Sequence, residues 1–139
     1  MSQRPFKILG IEHIGIAVED LNGISDVFGN LLGLELRSRE KIDDQQVITD
    51  IYETGSGKLE FLKATNKNSP IAKFIEKKSA GMHHIALKVD NLQAALDYLK
   101  GQGTQLIDTS PRIGAEGFKI AFLHPKSTGG VLIELCEKK

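Results

Sequence analysis

The chain has little cysteine, no excess charge and no long apolar run. Its single cysteine, Cys136, excludes an intrachain disulfide framework and suits a reducing compartment. The 18 basic and 18 acidic residues cancel, so there is no basic excess to neutralise a phosphate backbone, and nucleic-acid binding is disfavoured. No run approaches the roughly 20 apolar residues that cross a bilayer, and residues 1–10 lack a signal-peptide pattern. We expect a cytoplasmic protein with neither a nucleic-acid nor a membrane partner.

Length and composition fit one globular domain. A chain of 139 residues with 40% hydrophobic and 26% charged residues is ordinary for a soluble fold. Folding at this size buries roughly two thirds of the unfolded surface, and a second independent core is not expected. We therefore predict a single domain over residues 1–139.

The feature that stands out is a near-repeat. The segment Ile11–Leu21 (IEHIGIAVEDL) returns as Met82–Leu92 (MHHIALKVDNL), with one histidine of each in register. Each copy alternates like a strand and leads into apolar residues at helical spacing. Each half also carries a later strand-like segment that contains an acid, Lys58–Leu62 in the first half and Leu132–Leu135 in the second.

The order of predicted elements is the same in the two halves. In the first half we predict a strand, a helix and three strands at 11–18, 21–32, 34–40, 47–53 and 58–62, with a hairpin turn at 55–57. In the second half the same elements are predicted at 82–89, 92–101, near 104–107, 118–123 and 130–135. This order predicts an α+β fold in which two βαβββ modules, about 8–66 and 80–137, form an open, cup-shaped mixed sheet. A short helical connector near 67–79 joins them, and Ser69-Pro70 is its start signal.

The two histidines and two acids could form one metal site. Glu60 and Glu134 lie inside apolar strands, where a carboxylate needs a cation, a shifted pKa or a metal. Taken singly, a histidine or glutamate in a strand is more often an ordinary hydrogen-bonded or solvent-facing residue. Their repetition at equivalent positions favours a shared site of His13, Glu60, His84 and Glu134. His83 is the rival of His84, but strand alternation turns it to the other face.

This ligand set favours a particular chemistry. Two imidazoles and two carboxylates suit a divalent ion such as Co²⁺, Mn²⁺, Ni²⁺, Fe²⁺ or Zn²⁺, and they differ from the thiolate-rich set of a structural zinc site. A metal with open positions can act as a Lewis acid on a bound carbonyl and stabilise the enolate left when the adjacent proton is removed. The residues therefore predict enolate chemistry.

Over nearly its whole length, the sequence resembles the vicinal oxygen chelate (glyoxalase-like) superfamily and, within it, the methylmalonyl-CoA epimerases. The most specific stretches are His13–Val18 (HIGIAV), Ser69–Phe74 (SPIAKF), Gly81–Ala86 (GMHHIA) and Phe122–Leu135 (FLHPKSTGGVLIEL). Glyoxalase I enzymes share the His/Glu ligand pattern but are less similar in the SPIA and HPKS segments.

The resemblance implies both a ligand set and a reaction. His13, Glu60, His84 and Glu134 correspond to the metal positions of the family, of which the second is sometimes Gln in epimerases. The implied reaction is the metal-dependent epimerisation of (2R)- and (2S)-methylmalonyl-CoA at C2 through a metal-stabilised enolate, in propionate metabolism. A homodimer acting on an acyl-CoA substrate is also implied.

Inversion at C2 needs a base on one side of the carbon and an acid on the other. The family pattern implies Glu134 as one catalytic group and, in a Glu-x-Gly-Val-like segment, Asp44 as the other. Asp44 is one methylene shorter than the usual glutamate, and Gln46 replaces the usual glycine. Asp43 is a weaker candidate, and a solvated loop acid is the plain alternative for Asp44.

Substrate contacts are expected from a turn near the C-terminus. Lys126, Ser127 and Thr128 offer cationic, hydroxyl and backbone N–H donors that could hold a carboxylate or phosphate. The loop Arg112–Gly117 offers similar donors. Glycine-rich turns also occur for backbone reasons alone, so a purely structural role is the alternative.

Other functions of the same fold stay open. A glyoxalase I-type lactoylglutathione lyase would also transfer protons through a metal-bound enediolate. A non-catalytic small-molecule binding protein would use the fold as a receptacle, although the intact set of four ligands argues against it. A ring-cleaving iron oxygenase is less favoured, because such sites usually combine two histidines with one carboxylate.

Overall fold

A computed structural model describes residues 3–139. The chain divides into two compact units. We call residues 13–83 the N-terminal unit, and the described residues up to Glu12 together with His84–Lys139 the C-terminal unit. Both units combine strands with helices, as the α+β prediction requires. The predicted single domain, with modules at about 8–66 and 80–137, stays a prediction.

The N-terminal unit is a mixed sheet with helical segments packed on it. Its strands run in the order β2-β3-β4-β1, with β1 parallel to β4 and the other neighbours antiparallel. Strand β1 begins in the C-terminal unit and ends in this one. The elements are β1 Ile8–Ala17, α1 Asn22–Ile24 continued by a π-helical segment Ser25–Leu31, β2 Glu35–Ile42, β3 Val47–Glu53, β4 Lys58–Ala64 and α2 Pro70–Lys78.

The helical segments of this unit follow their local sequence. Ser69 caps α2, because its hydroxyl oxygen accepts the Ile71 N–H at 3.1 Å, and Pro70 occupies the first turn. The predicted connector helix is thus confirmed. The helix predicted over residues 21–32 is only partly α-helical, and most of it winds as a π-helix. Gly23 and Gly29 weaken an α-helix here.

The C-terminal unit repeats the same strand order as β5-β8-β7-β6. Strand β5 is parallel to β8, and β7 is antiparallel to both of its neighbours. Strand β5 begins in the N-terminal unit and continues into this one. The elements are β5 Gly81–Val89, α3 Leu92–Gly101, β6 Arg112–Ile113, β7 Lys119–Leu123 and β8 Ile133–Glu137.

The strand predicted near residues 104–107 is wrong. Only an isolated bridge between Leu106 and Leu123 forms there, and the strand beside β7 is Arg112–Ile113. The physical reason is that the Asp108 side chain, and not a strand backbone, accepts the Phe122 N–H. The carboxylate of Asp108 accepts the Phe122 N–H at 2.8 Å, so this donor cannot pair with a neighbouring strand.

The turn that joins the edge strand of each unit to its neighbour is also alike in the two units. A 3₁₀ turn at Asp43–Gln45 joins β2 to β3, and another at Ala115–Gly117 joins β6 to β7. The left-handed region is occupied at both turns: by Gln46, with φ 55°, directly after the first, and by Glu116 and Gly117, with φ 58° and 75°, within the second. The structural repeat therefore extends into loops whose sequences show no match.

Each unit has two apolar clusters of buried residues. In the N-terminal unit, Val18, Leu21, Tyr52 and Phe61 form one cluster, and Ala17, Val47, Leu62 and Ile71 form another, with α2 packed on it. In the C-terminal unit, one cluster joins Leu92 and Leu96 of α3 to Val89 and Leu135 of the strands. The second cluster consists of Ala86, Phe118, Ile120, Phe122 and Cys136. No helix within residues 3–139 is long and apolar enough to span a bilayer.

The N-terminal segment is part of the C-terminal unit. Phe6 is 8% exposed in the cluster around Leu92, and its ring meets Tyr98 edge-on at 6.0 Å. The Lys7 N–H donates to the Asp90 carboxylate at 2.7 Å, and the Asp90 N–H donates to the Lys7 carbonyl at 3.2 Å. These contacts hold the chain start against the end of β5.

Candidate active site

The N-terminal unit contains a buried His–Glu pair. Glu60 on β4 lies beside Gly15 on the parallel strand β1, so its side chain is on the same face as His13, two residues earlier. Nδ1 of His13 lies 3.1 Å from Oε2 of Glu60, and the two side chains are only 6% and 5% exposed. The strand alternation assumed from the sequence therefore brings this pair together.

The C-terminal unit contains the equivalent pair. Glu134 on β8 lies beside Ala86 on the parallel strand β5, again two residues after the histidine. Nε2 of His84 lies 3.4 Å from Oε1 of Glu134, and the side chains are 5% and 6% exposed. The two pairs thus occupy the same register in their units, although each histidine presents a different ring nitrogen to its glutamate.

An aromatic ring supports the second pair. Phe122 on β7 lies opposite Glu134 across the antiparallel ladder, and its ring meets the His84 imidazole edge-on at 5.6 Å. The guanidinium carbon of Arg112 lies 5.6 Å from the Phe122 ring centre, within the range of a cation–π contact. Arg112 also pairs with Asp108 at 3.3 Å. These contacts restrict the orientation of His84.

The chemistry of the donors fits a divalent metal ion. A carboxylate removed from water is costly unless a hydrogen-bond donor, a cation or a metal compensates it. In each unit the neighbouring imidazole supplies that compensation now, and the same nitrogen and oxygen atoms are of the types that bind borderline divalent ions. The residues present therefore suit such an ion.

His83, the neighbour of His84, has different surroundings. Its ring meets Phe74 of α2 edge-on at 4.8 Å. Burial lowers the pKa of His83 to about 4, so the ring is neutral near pH 7. This packing against α2 accounts for His83 without a role in the chemistry.

Asp44 lies on the 3₁₀ turn that links β2 to β3. Its side chain is exposed, as is that of Asp43. The turn is closed by the Gln46 N–H, which donates to the Asp43 carbonyl at 3.1 Å. It is also tied to the segment before α2, because the Thr65 N–H donates to the Gln46 carbonyl at 2.9 Å. Asp44 is thus a solvent-reaching carboxylate on a constrained turn.

The three expected substrate contacts lie on the turn before β8. The Ser127 hydroxyl oxygen accepts the Gln105 N–H at 3.0 Å, and the Thr128 hydroxyl donates to the Val131 carbonyl. Lys126 is exposed. Both hydroxyls therefore stabilise the turn, and Lys126 and Ser127 are the exposed residues of the three.

Two residues around these groups were not singled out for a functional role from the sequence. The contact of Phe122 with His84 depends on the register of β7 against β8, which no periodicity reveals. Ser69 was assigned as a helix start, but its hydroxyl also reaches the Gln45 carbonyl at 3.4 Å. Its burial, with 0% exposure, is the signal that sets it apart from an ordinary cap.

Known proteins are similar to this chain over most of its length. Residues 12–122 match the family described as the Glyoxalase/Bleomycin resistance protein/Dioxygenase superfamily. The mitochondrial methylmalonyl-CoA epimerase of Homo sapiens is 38% identical over 126 residues, which cover 90% of this chain and 72% of that protein.

Solved structures are similar as well. The methylmalonyl-CoA epimerase of Mycobacterium tuberculosis superposes with a TM-score of 0.90 at 34% identity, covering 95% of this chain and 89% of that one. A methylmalonyl-CoA epimerase in complex with methylmalonyl-CoA and NH4+ superposes with a TM-score of 0.89 at 30% identity, covering 95% and 96% of the two chains.

Proposed function

Because the chain belongs to the Glyoxalase/Bleomycin resistance protein/Dioxygenase superfamily and, within it, to the methylmalonyl-CoA epimerases, we propose that it interconverts (2R)- and (2S)-methylmalonyl-CoA. Membership confirms the predicted family and the predicted enzyme class, an isomerase. The similarity of the folds confirms the predicted α+β fold of vicinal oxygen chelate type. The names of the relatives support epimerase activity in general terms, and the metal and the residue roles below are our proposal.

We assign the metal ligands to the two buried pairs. His13, Glu60, His84 and Glu134 would hold a divalent ion, Co²⁺, Mn²⁺, Ni²⁺ or Zn²⁺. Such an ion would supply Lewis-acid stabilisation of the negative charge that develops on the substrate oxygens. The protein residues keep these donors buried, in register and close to one another within each unit.

The proton transfers are assigned to two carboxyl groups. The C2 proton of the substrate lies between the thioester carbonyl, which acidifies it, and the carboxylate. Glu134 serves one face of C2 and Asp44 the other, because inversion requires the proton to leave on one side and return on the opposite side. Glu134 is buried, whereas Asp44 is exposed on its turn, so the two groups differ in their contact with solvent.

The turn at Lys126, Ser127 and Thr128 is proposed to contact the acyl-CoA. Lys126 is exposed and carries the positive charge that a carboxylate or phosphate would meet. Ser127 and Thr128 act mainly by holding the turn, through the contacts already described.

One observation carries this proposal above the others. The same buried His–Glu pair recurs in the same strand register in both units of a chain that belongs to the epimerase family. A non-catalytic binding protein would have no need to retain both pairs.

The test is deuterium incorporation during inversion. Protein loaded with Co²⁺, Mn²⁺ or Ni²⁺ is incubated with (2R)- or (2S)-methylmalonyl-CoA in D₂O, and NMR and a chiral assay follow C2. We expect deuterium to enter C2 together with racemisation from either enantiomer. The absence of both with every one of these metals would exclude the epimerase function.

Two parallel arms separate the other functions. Methylglyoxal with glutathione should give no lactoylglutathione, and turnover in that arm would favour the glyoxalase reaction. Saturable binding of methylmalonyl-CoA without exchange would favour a binding protein. Removal of metal with a chelator should abolish inversion and lower the melting temperature, because an ion bound only to the folded state stabilises it. Inversion that survives chelation would remove the metal from the proposal.

A further inference from the structure

We propose that Ser69 is a positioning residue for Asp44, an inference that rests on the proposed epimerase function. Ser69 is fully buried at the start of α2. Its hydroxyl donates to the carbonyl of Gln45, the residue directly after Asp44, at 3.4 Å. One side chain therefore links the N-terminus of α2 to the turn that carries the second acid/base group.

The hydroxyl of Ser69 makes two hydrogen bonds with different roles. As an acceptor it takes the Ile71 N–H at 3.1 Å, which is the ordinary work of a helix cap. As a donor it binds the Gln45 carbonyl. A hydroxyl provides both an acceptor and a donor, which a methyl group at the same place does not. The bond to the Gln45 carbonyl is the one that would position Asp44.

The turn needs such support because its backbone is strained. Gln46 has φ 55° and ψ 48°, a left-handed conformation that costs a non-glycine residue roughly 1 kcal/mol or more. Strain of this kind persists only where the surroundings hold it. The Thr65 N–H holds the Gln46 carbonyl, and Ser69 holds the Gln45 carbonyl. Both holding groups come from the segment between β4 and α2.

Loss of the Ser69 contact should therefore misplace Asp44 rather than unfold the unit. A shift of about 1 Å in a reacting group can cost on the order of a hundredfold in rate. Asp44 is also shorter by one methylene than glutamate, which leaves less side-chain freedom to compensate for a shifted backbone. The effect should fall on the face of C2 that Asp44 serves and not on the face served by Glu134.

The test is a double-mutant cycle with a matched cap control. Ser69→Ala, Ser69→Thr and Asn91→Ala are each made in the wild type and in Asp44→Asn. Asn91 caps α3 by accepting the Ala94 N–H at 3.0 Å, so its removal deletes a helix cap away from the turn. For every protein we measure the rate of inversion and the rate of C2 deuterium exchange with retention.

Ser69→Ala is expected to slow inversion at least tenfold while exchange with retention changes less than threefold. In the Asp44→Asn background the same substitution should cause no further loss, because residues that act as a unit are not additive. Ser69→Thr, which keeps the hydroxyl, should restore inversion to within about threefold. Asn91→Ala should leave the ratio of inversion to exchange unchanged in both backgrounds.

Equal losses of inversion and exchange in Ser69→Ala would overturn the inference, and so would an equal effect in the two backgrounds. If Ser69→Ala does not fold, Ser69→Gly takes its place, since glycine at a helix N-cap costs only a few tenths of a kcal/mol. A second readout separates this inference from the proposed function. Ser69→Ala should speed amide hydrogen exchange at Gln46, even in a protein with no epimerase activity, whereas Asn91→Ala should not. An unchanged exchange rate at Gln46 would show that Ser69 does not hold the turn.

Discussion

In the N-terminal unit His13 meets Glu60 through Nδ1, whereas in the C-terminal unit His84 meets Glu134 through Nε2. The strand register is the same in both, since each glutamate lies beside the residue two positions after the histidine. The surroundings differ. Phe122 packs against the imidazole of the second pair, whereas in the N-terminal unit Thr65 and Ser69, between β4 and α2, bind the backbone of the turn that carries Asp44.

The two units share a backbone frame, with an imidazole and a carboxylate at equivalent places in each. Their neighbouring residues differ, and in the proposed reaction the two faces of C2 are served by two different groups, Glu134 and Asp44. We therefore expect equivalent substitutions in the two units to have unequal effects.

The largest inequality should appear between the two glutamates. Glu134→Gln removes a proposed acid/base group and should lower inversion by roughly 10² to 10⁴-fold, the usual range for such a group. Glu60→Gln keeps an oxygen ligand and removes no proposed acid/base group, so we expect a loss below about tenfold. Steady-state inversion assays on both variants, with metal content measured in parallel, provide the comparison. Equal losses would mean that Glu134 acts only as a ligand.

The two repeated turns provide the next comparison. Asp44→Asn should slow inversion about a hundredfold and leave exchange with retention from one enantiomer, because the other face of C2 is still served. Glu116→Gln, on the corresponding turn of the C-terminal unit, should change inversion less than about threefold. Deuterium exchange measured separately from (2R) and (2S) substrate decides the matter. Unchanged inversion in Asp44→Asn would clear Asp44 of an acid/base role.

The outer strands of the two units give a comparison of stability. Arg39 on β2 binds Asp50 in a bidentate pair at 2.6 and 2.9 Å, and the Asp50 side chain is 0% exposed. Arg39→Met would leave that buried carboxylate without its cation, and we expect a loss of about 2–3 kcal/mol in the free energy of unfolding. Arg112→Met should cost less than about 1 kcal/mol, because Asp108 keeps the Phe122 N–H as a donor.

Urea denaturation of both arginine variants measures the difference. Lys substitutions at the two positions serve as controls, because they keep the charge and lose the planar, two-pronged geometry. If Arg39→Met and Arg112→Met lower the free energy of unfolding by the same amount, the burial of Asp50 does not explain the contribution of the Arg39–Asp50 pair to stability.

The last comparison concerns His83, which occupies the position of Glu12 in the second copy of the near-repeat. We expect His83 to make the free energy of unfolding depend on pH. The pKa of His83 is about 4 in the folded chain, below the ordinary value of 6.5, because the ring is buried. Between these two pH values the unfolded chain binds a proton that the folded chain does not, so this histidine lowers stability as the pH falls. His83→Phe keeps an aromatic ring beside Phe74 and removes the titration. Its stability relative to wild type should rise by about 2 kcal/mol between pH 7 and pH 4.5. Urea melts at the two pH values measure this rise, and a pH-independent difference would contradict this account.

Local patterns were sufficient for much of the fold. Strand β3 at Val47–Glu53 and helix α3 at Leu92–Gly101 match their predicted bounds, because alternation and helical spacing are properties of neighbouring residues. The side-by-side placement of each histidine with its glutamate was also predictable. Parallel strands with the same parity expose their side chains on the same face.

Other features depend on contacts that the sequence does not display. The strand expected near residues 104–107 is displaced because the Asp108 side chain occupies the Phe122 N–H. The packing of Phe122 on His84 depends on the register of an antiparallel pair. The link from Ser69 to Gln45 spans 24 positions along the chain and joins two loops, and loops carry no periodicity. These non-local contacts are where the units depart from their common pattern.

The placement of Phe6 and Lys7 has a consequence for how this chain is made. During translation these residues are made well before their partners, because the Asp90 N–H that binds Lys7 and the Leu92 side chain that packs with Phe6 follow more than 80 positions later. Contacts so distant in sequence slow folding, because the intervening loop must close before they form. Phe6 therefore stays without its packing partners while residues 13–83 are synthesised.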